Sequence, residues 1–240
     1  MHIAILLAGH TNHAMPKHFH DYHDMFTTLF SGLPLGRAFR YTKLAVVDGV
    51  FPDQLDDYDG YLISGSAFGV YDDKLFITRL MHLIQRIHQA KKPLAGVCFG
   101  YRIIAHALGG HTKKWDHGRK ISIKEITFID PPNWIDGSKK AIHLIHVHQD
   151  QVTSLLKGAK LIGTTNHCKN SAYVIDDLVF AIQVHPEFDV SYTSALADLL
   201  EKNVGTRCVQ AAHESFSIPH NGKNVANWIL SFFIQHKSGH

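Results

Sequence analysis

Short runs of apolar residues alternate with amphipathic segments along the first half of the chain. A continuous apolar run predicts a buried strand, and apolar residues that recur every three or four positions predict a helix. The predicted strands are 2–8, 43–47, 61–64 and 93–97, and the predicted helices are 22–30, 72–90 and 101–108. Because strands and helices alternate, the pattern favours a parallel sheet with helices on both faces.

From about residue 122 to residue 175 the pattern changes to short stretches in which apolar and polar residues alternate. These stretches, which indicate half-exposed strands, are 122–128, 141–147, 160–165 and 172–175. A continuous apolar strand, 179–184, and two helices, about 190–204 and 225–236, follow. The predicted fold class is α/β, a doubly wound and mostly parallel sheet sandwiched by helices, with a small antiparallel annex. Ligand crevices in such folds lie beyond the C-terminal ends of strands.

Length and composition favour one domain over residues 1–240. The chain is 45% hydrophobic and 19% charged, which supplies enough apolar material for one large core. Its formal net charge is only +3 and its basic residues are scattered, so nucleic acid is not an expected partner. The apolar runs fall well short of the roughly 18 to 20 residues that cross a bilayer, so no membrane attachment is expected.

The cysteines and histidines show no metal-binding spacing. Cys98, Cys168 and Cys208 form no disulfide framework either, which favours a reducing compartment, the cytoplasm. Histidine is abundant, at 20 residues, but most of these residues lack the spacing of a two-histidine helix motif or a Cys/His finger. We therefore expect no metal site. Cys168 and Cys208 lie outside any tight turn, and we expect both to be inert.

The segment from Ala95 to Gly100 places a cysteine where a buried strand turns sharply into a helix. Small residues on both sides, Gly96 and Gly100, permit the tight turn that lifts the side chain of Cys98 out of the sheet, as in a nucleophile elbow. The dipole at the start of a helix favours a thiolate. On this segment alone, a nucleophile and a small buried hydrophobic residue are equally good interpretations of Cys98.

A second motif, His185-Pro186-Glu187, follows predicted strand 179–184 and so belongs to the same edge of the sheet. His185 and Glu187 are alternate residues of an extended stretch and point to the same side. A thiolate needs a base or cation nearby, and an imidazole needs an acceptor that fixes its tautomer. Separately, His185 fits a core histidine and Glu187 a carboxylate at a helix start. Together with Cys98 they favour a catalytic triad.

With its G-x-C-x-G elbow and distant H-P-E motif, the sequence resembles the class I, or triad, glutamine amidotransferases from Ile3 to about Asp189. The resemblance implies a flavodoxin-like sheet and a glutamyl thioester formed by Cys98, with His185 as the base and Glu187 as the group that orients it. It implies neither a metal nor an organic cofactor.

The resemblance also implies further site residues. A glycine-containing loop after the third predicted strand looks like the family's oxyanion loop, so the backbone N–H groups of Ser66 and Phe99 would bind the oxyanion. His148 and Asp150 match the family's H-x-D-x-V segment near the substrate, although Val147 replaces the serine that usually precedes it.

Arg102 departs from the family pattern. Where the elbow ordinarily continues as G-x-Q, this chain has Gly100-Tyr101-Arg102, which replaces a neutral amide with a permanent cation. If Arg102 faces the crevice, it is placed to pair with a substrate carboxylate near the start of the helix; if it faces outward, it is an ordinary surface residue. We favour the role in the pocket.

Three functions are compatible with these residues. The first is a glutaminase subunit or GMP-synthase-like domain that passes ammonia to a separate synthase subunit. The second is a stand-alone hydrolase of γ-glutamyl peptides, which suits Arg102. The third is a binding or regulatory module without turnover. The chain has no G-x-x-x-x-G-K-[ST] phosphate loop. Complete triad residue types favour an enzyme with a small γ-glutamyl substrate, and leave the first two alternatives open.

Overall fold

The computed structural model describes residues 1–116, 118–136 and 140–236. The strands in this part of the chain are β1 (His2–Leu6), β2 (Arg40–Leu44), β3 (Gly60–Ile63), β4 (Leu94–Val97), β5 (His111–Lys114), β6 (Lys120–Phe128), β7 (Ala141–His148), β8 (Asp150–Ser154), β9 (Ala159–Thr164), β10 (Ala172–Ile175) and β11 (Val179–Ile182). The α-helices are α1 (Tyr22–Ser31), α2 (Leu75–Gln89), α3 (Phe99–Ala107), α4 (Val190–Leu199), α5 (Glu201–Val204), α6 (Thr206–Ser215) and α7 (Gly222–Gln235).

Nine strands form one sheet in the order β2-β1-β3-β4-β11-β10-β9-β6-β7. The first five pair in parallel with one another, and their order is that of a doubly wound, flavodoxin-like sheet. The strands from β10 to β7 pair antiparallel and extend the same sheet. The α/β prediction is confirmed. The antiparallel annex is continuous with the main sheet, and β5 and β8 form a separate small pair.

Helices cover both faces of the parallel strands. Ile3 and Ile5 of β1 pack with α1 and α7, whereas Ala4 and Leu6 pack on the opposite face with α2 and α3. Strands buried on both faces read as continuous apolar runs, which is why the sequence pattern shows these strands clearly. A third cluster packs α4 and α6 against β6 and β7.

Helix α1 illustrates how local sequence fixes an element. Asp21 is its N-cap, and the Asp21 carboxylate accepts a hydrogen bond of 2.9 Å from the N–H of Tyr22. Phe26 and Phe30, one helical turn apart, are fully buried against the sheet. The capped start and the four-residue spacing together account for the predicted helix 22–30.

The second strand begins three residues earlier than the predicted strand 43–47. β2 spans Arg40–Leu44 and lies at the edge of the sheet, so most of its side chains are partly or fully exposed. The apolar pair Val46 and Val47 instead begins a short 3₁₀ turn, Val46–Asp48. Because Val46 is an apolar residue buried in that turn, it looks in the sequence like the last residue of a buried strand.

The C-terminal helices also differ from the prediction. The single helix predicted over 190–204 is divided at Leu200 into α4 and α5, and α5 ends at Gly205, whose positive φ of 84° favours glycine. The following helix, α6, was not predicted. Its buried face carries only small or short side chains, Val209, Ala212 and Ser215, which give a weak apolar period. None of the described helices is long and apolar enough to span a bilayer.

Candidate active site

Cys98 lies in a sharp turn between β4 and α3. Its φ of 53° is in the left-handed region, which is rare for a residue other than glycine and marks a strained backbone. A methyl group on Gly100 would lie 2.3 Å from the carbonyl oxygen of Ile63, and one on Gly96 would lie 2.7 Å from the carbonyl carbon of Gly100. Both glycines are therefore required for the elbow that the sequence predicts.

Three neighbouring parallel strands bring the predicted residues to one edge of the sheet. In the ladder Ile63 pairs with Gly96, and Val97 pairs with Ile182, so β3, β4 and β11 end side by side. The loop after β3 carries Ser66, Cys98 follows β4 directly, and His185 follows β11 by three residues. The site thus lies beyond the C-terminal ends of strands, as expected for this sheet topology.

His185 is held in one orientation on two sides. Its Nδ1 lies 2.8 Å from Oε1 of Glu187, and its ring stacks on Phe188 at 4.0 Å with an angle of 4° between the planes. The backbone N–H of His185 donates to the carbonyl oxygen of Ile145 on β7 at 2.9 Å. The imidazole of His185 and the side chain of Cys98 both lie against Gly65, so the two side chains are neighbours, and their charges interact. The structure therefore brings the three predicted triad residues together.

The charges of this group favour a thiolate and an imidazolium. Burial raises the pKa of the Cys98 thiol, but the positive charges of His185 and Arg102 lower it by more, so its pKa lies below the ordinary value. Burial lowers the pKa of His185, yet the negative charges of Cys98 and Glu187 outweigh burial and raise it to about 10. With the thiol pKa lowered and the imidazole pKa raised, the favoured state is the thiolate–imidazolium ion pair that a cysteine nucleophile requires.

The N–H groups predicted to bind an oxyanion are free to do so. Phe99 is the first residue of α3, where N–H groups have no partner within the helix. Among the hydrogen bonds of the described residues, none uses the N–H of Ser66 or Phe99. The hydroxyl of Ser66 accepts from the N–H of Phe68 at 3.2 Å, which shapes the loop.

Gly65 is a site residue that sequence analysis did not single out. A methyl group there would lie 2.9 Å from Cε1 of His185 and 3.8 Å from Cβ of Cys98. The missing side chain thus makes room for the imidazole beside the thiol. The Ser-Gly-Ser sequence after a buried strand was the available signal, but it does not show which ring lies against the glycine.

We expect Gly65→Ala to lower the turnover rate about 100-fold, because displacing a catalytic group by about 1 Å has an effect of that size. The added methyl group forces the ring of His185 away from Cys98. The measurement is kcat beside the melting temperature. Gly32→Ala is the matched control, since its new methyl group would meet its nearest atom at 3.4 Å. Unchanged kcat in Gly65→Ala would contradict this placement of His185.

Arg102 faces the crevice, as the sequence interpretation favoured. Its side chain is 5% exposed, and its Nη1 forms a 2.8 Å ion pair with Oδ2 of Asp150. Its Nη2 lies 3.9 Å from Sγ of Cys98, and its Nε donates to the carbonyl oxygen of Cys98 at 3.3 Å. The hydroxyl of Tyr71 donates to the same Asp150 carboxylate at 3.1 Å. Arg102 and Asp150 therefore form one charged unit beside the nucleophile.

A pocket of about 250 Å³ opens at this unit. Its lining includes all the predicted substrate-binding residues and one oxyanion donor, and consists of Ser66, Ala67, Gly69, Tyr71, Asp72, Arg102, Lys114, Arg119, Val147, His148, Gln149 and Asp150. A larger cavity of about 890 Å³ adjoins it, and the two share Lys114, Arg119 and Gln149. The larger cavity also contains Lys120, Lys124 and Arg207, so its wall is strongly basic. Scattered in the sequence, these cations converge in the fold.

His148 lies in the pocket wall, at the end of β7. It is 3% exposed, and neither of its ring nitrogens has a hydrogen-bond partner among the described residues. Burial, together with nearby positive charge, holds its pKa well below the ordinary range. Its ring stacks on that of His167 at 5.3 Å. His148 is therefore a neutral imidazole in this site.

Three further side chains, Gln183, Cys168 and Cys208, clarify which cysteine is the candidate nucleophile. The amide of Gln183 donates to Sγ of Cys98 at 3.6 Å; its position two residues before His185 in the sequence was the only signal for it. Burial raises the pKa of the Cys168 thiol to about 11, in contrast to the lowered pKa of Cys98. Cys208 is half-buried on α6, and its thiol lies 3.6 Å from the carbonyl oxygen of Arg119.

Comparison with known proteins agrees with this geometry. The profile of the family described as "Glutamine amidotransferase class-I" matches residues 38–202. Gamma-glutamyl peptidase 4 of Arabidopsis thaliana is 30% identical over 192 residues, which cover 77% of this chain and 75% of the peptidase. The glutamine-hydrolyzing GMP synthase of Porphyromonas gingivalis is 30% identical over 138 residues, which cover 57% of this chain and 26% of that enzyme.

The fold has a solved counterpart as well. The crystal structure of a glutamine amidotransferase from Thermotoga maritima superimposes with a TM-score of 0.70, covers 100% of both chains and is 18% identical. This structural likeness concerns the fold, whereas the family profile covers the elbow and the H-P-E motif. The chain belongs to the class I glutamine amidotransferase family.

Proposed function

We propose that this chain hydrolyses a γ-glutamyl amide bond through a glutamyl thioester on Cys98. The observation that carries the proposal is the buried group of Cys98, His185 and Glu187, in which the pKa of the thiol is lowered and that of the imidazole is raised to about 10. A thiolate beside an imidazolium is a nucleophile with its proton donor already in place.

The reaction uses groups of this chain at every step. The Cys98 thiolate attacks the γ-carbonyl carbon, and the N–H groups of Ser66 and Phe99 stabilise the oxyanion. The imidazolium of His185 then donates its proton to the departing nitrogen, and the C–N bond breaks to leave a thioester. Neutral His185 next takes a proton from water, which attacks the thioester and releases the γ-carboxylate and the Cys98 thiolate. Glu187 stabilises the imidazolium in both half-reactions.

We propose γ-glutamyl peptides or related amides with an anionic leaving group as the substrate class. Asp150 and Tyr71 offer polar groups for the glutamyl part, and Arg102 offers a cation beside the nucleophile. Lys114 and Arg119 lie where the small pocket meets the basic cavity, and so favour a carboxylate on the leaving group. The peptidase relative supports this choice over free glutamine.

Arg102→Gln tests the substrate class. We expect this substitution to lower kcat/KM for γ-glutamyl dipeptides about tenfold or more relative to glutamine, because it removes a buried charge–charge interaction at the pocket. Asp150 would also lose its 2.8 Å partner. The measurement is the ratio of the two kcat/KM values, with Arg37→Gln, outside the pocket, as the control. An unchanged ratio would remove Arg102 from substrate recognition.

The pH dependence of kcat/KM follows from the two shifted pKa values. Activity rises with pH as Cys98 loses its proton, at a pH below the ordinary thiol value, and falls near pH 10 as His185 loses the proton that it must donate. We therefore expect a plateau through neutral pH. An acidic limb at the ordinary thiol pKa, near 9, would contradict activation of Cys98.

The decisive experiment is release of ammonia or amine from glutamine, γ-glutamyl dipeptides and glutathione by the purified chain. We expect the dipeptides or glutathione to be hydrolysed faster than glutamine. A preference for glutamine that appears only when a synthase subunit is added would instead establish the ammonia-donating alternative. No turnover under either condition would refute hydrolysis.

We also propose that the protein works in the cytoplasm. Cys98, Cys168 and Cys208 are free thiols in the structure, and the mechanism requires Cys98 to stay reduced. A reducing compartment provides that condition.

A further inference from the structure

Three histidines converge next to the active site although they are distant in the sequence. His146 and His148 are alternate residues of β7 and so face the same side of the strand. His167 comes from the turn between β9 and β10. One ring nitrogen from each of the three lies within 4.8 Å of the other two. We call these residues the three-histidine cluster.

The cluster holds polar atoms that the rest of the described chain does not satisfy. Both ring nitrogens of His146, both of His148 and Nε2 of His167 are buried and have no hydrogen-bond partner among the described residues. The remaining nitrogen, Nδ1 of His167, lies 3.3 Å from the hydroxyl of Thr165. Burial of an unpaired polar group costs about 1 to 3 kcal/mol, so several at one point indicate a ligand that the nitrogens share.

We propose that the three-histidine cluster binds a divalent transition-metal ion of the zinc type. Three imidazoles with one position left for a further ligand are a donor set that suits Zn²⁺, whereas Ca²⁺ and Mg²⁺ prefer oxygen ligands. Nitrogens bound tetrahedrally at the usual zinc distance lie about 3.4 Å apart. The turn that carries His167 must therefore move inward, since the present separations reach 4.8 Å.

The surroundings define how an ion would enter and what would complete its coordination. His146 and His148 are almost fully buried, but His167 lies in the wall of the large basic cavity, which opens a route. Lys120 and Lys124 line the same cavity and place positive charge near His167. Because these cations oppose a second positive charge, the fourth ligand is expected to be an anion, such as hydroxide or a carboxylate that enters the basic cavity.

This site was not visible in the sequence. The interval of 19 residues between His148 and His167 matches no local metal motif, and an expectation of no metal site followed from the absence of such spacing. The ladder between β6 and β9 and the return of the chain through β9 bring His167 back to β7. The cluster is thus a property of the sheet topology.

Cobalt titration of the full chain tests the proposal. We expect one equivalent of Co²⁺ to bind, with the visible absorption of a tetrahedral site, and Zn²⁺ to displace it. His167→Ala lies in a half-buried turn and is expected to keep the fold. We expect it to weaken Zn²⁺ binding by more than about 100-fold, because loss of a residue that only hydrogen-bonds to a metal ligand typically weakens binding by about 10- to 100-fold. His146→Ala is a second variant, and calorimetry with Zn²⁺ supplies the dissociation constants.

Two control variants separate this site from other thiols and histidines. Cys98→Ala is expected to retain the Co²⁺ spectrum, because the cluster does not include the catalytic thiol. His213→Ala removes an exposed histidine that pairs with Asp198 at 2.7 Å, and it too is expected to retain binding. Loss of binding in Cys98→Ala, unchanged binding in folded His167→Ala, or failure of the unmodified chain to bind Co²⁺ and Zn²⁺ would each overturn the proposal.

Discussion

Replacing Cys98 with alanine is expected to reduce hydrolysis of γ-glutamyl substrates by about 10⁴-fold or more while the protein remains folded. Loss of the nucleophile removes the thioester route entirely, and triad nucleophiles in other hydrolases show losses of about 10⁶-fold. The remaining oxyanion donors cannot form the covalent intermediate. Because the side chain is 2% exposed and small, the alanine methyl group fits the same space. The measurement is single-turnover release of amine, with the melting temperature recorded for both proteins.

The matched control for this substitution is Cys208→Ala. Cys208 is half-buried on α6, in the wall of the larger cavity and outside the 250 Å³ pocket, so its removal is expected to leave kcat at saturating substrate unchanged. Mass spectrometry adds a direct test, since a trapped glutamyl adduct is expected on Cys98 and on neither of the other cysteines. Substantial turnover by Cys98→Ala, or an adduct on Cys168, would show that another residue is the nucleophile.

Replacing Glu187 with glutamine is expected to lower kcat by about 10⁴-fold, the effect seen when the acid of a triad is replaced by its amide. The Glu187 carboxylate accepts from Nδ1 of His185 at 2.8 Å, which fixes the tautomer and stabilises the imidazolium. Its negative charge is one of the causes that raise the His185 pKa to about 10. Without that charge the His185 pKa falls, so the alkaline limb of the pH profile moves to lower pH.

This shift of the alkaline limb distinguishes a catalytic role of Glu187 from a merely structural one. A structural loss would lower the melting temperature and reduce activity equally at every pH. Glu201→Gln, in the exposed first turn of α5, is the matched control and is expected to change neither kcat nor the pH profile. If Glu187→Gln kept its kcat and its alkaline limb, His185 would need a different partner.

The parallel half of the fold was predictable because its strands are buried on both faces. A continuous apolar run such as 93–97 then ends abruptly in the elbow, and the glycines on either side show that the backbone must turn there. The H-P-E motif was predictable for the same reason, since β11 is also a fully buried strand. Local sequence was less informative at β2 and α6, where edge exposure and small side chains weaken the pattern.

The site features that the sequence did not show depend on contacts between residues that are far apart in the chain. The ion pair of Arg102 with Asp150 joins residues 48 positions apart, and its geometry depends on how β8 lies beside α3. The same is true of Gly65 against the ring of His185 and of the three-histidine cluster. Residue type and spacing indicate chemistry along one segment, whereas these contacts join segments whose relative position is set by the sheet.

The contacts of β7 with the active site couple activation of the nucleophile to completion of folding. Ile145 on this strand accepts the hydrogen bond that holds His185, and the carbonyl oxygen of Val147 lies 3.9 Å from Sγ of Cys98. β7 lies in sequence between Cys98 and His185, at the far end of the sheet order. A molecule that has formed only its first four strands therefore contains an ordinary thiol. Cys98 is therefore expected to become an activated nucleophile only after strands that follow it in the sequence have joined the sheet.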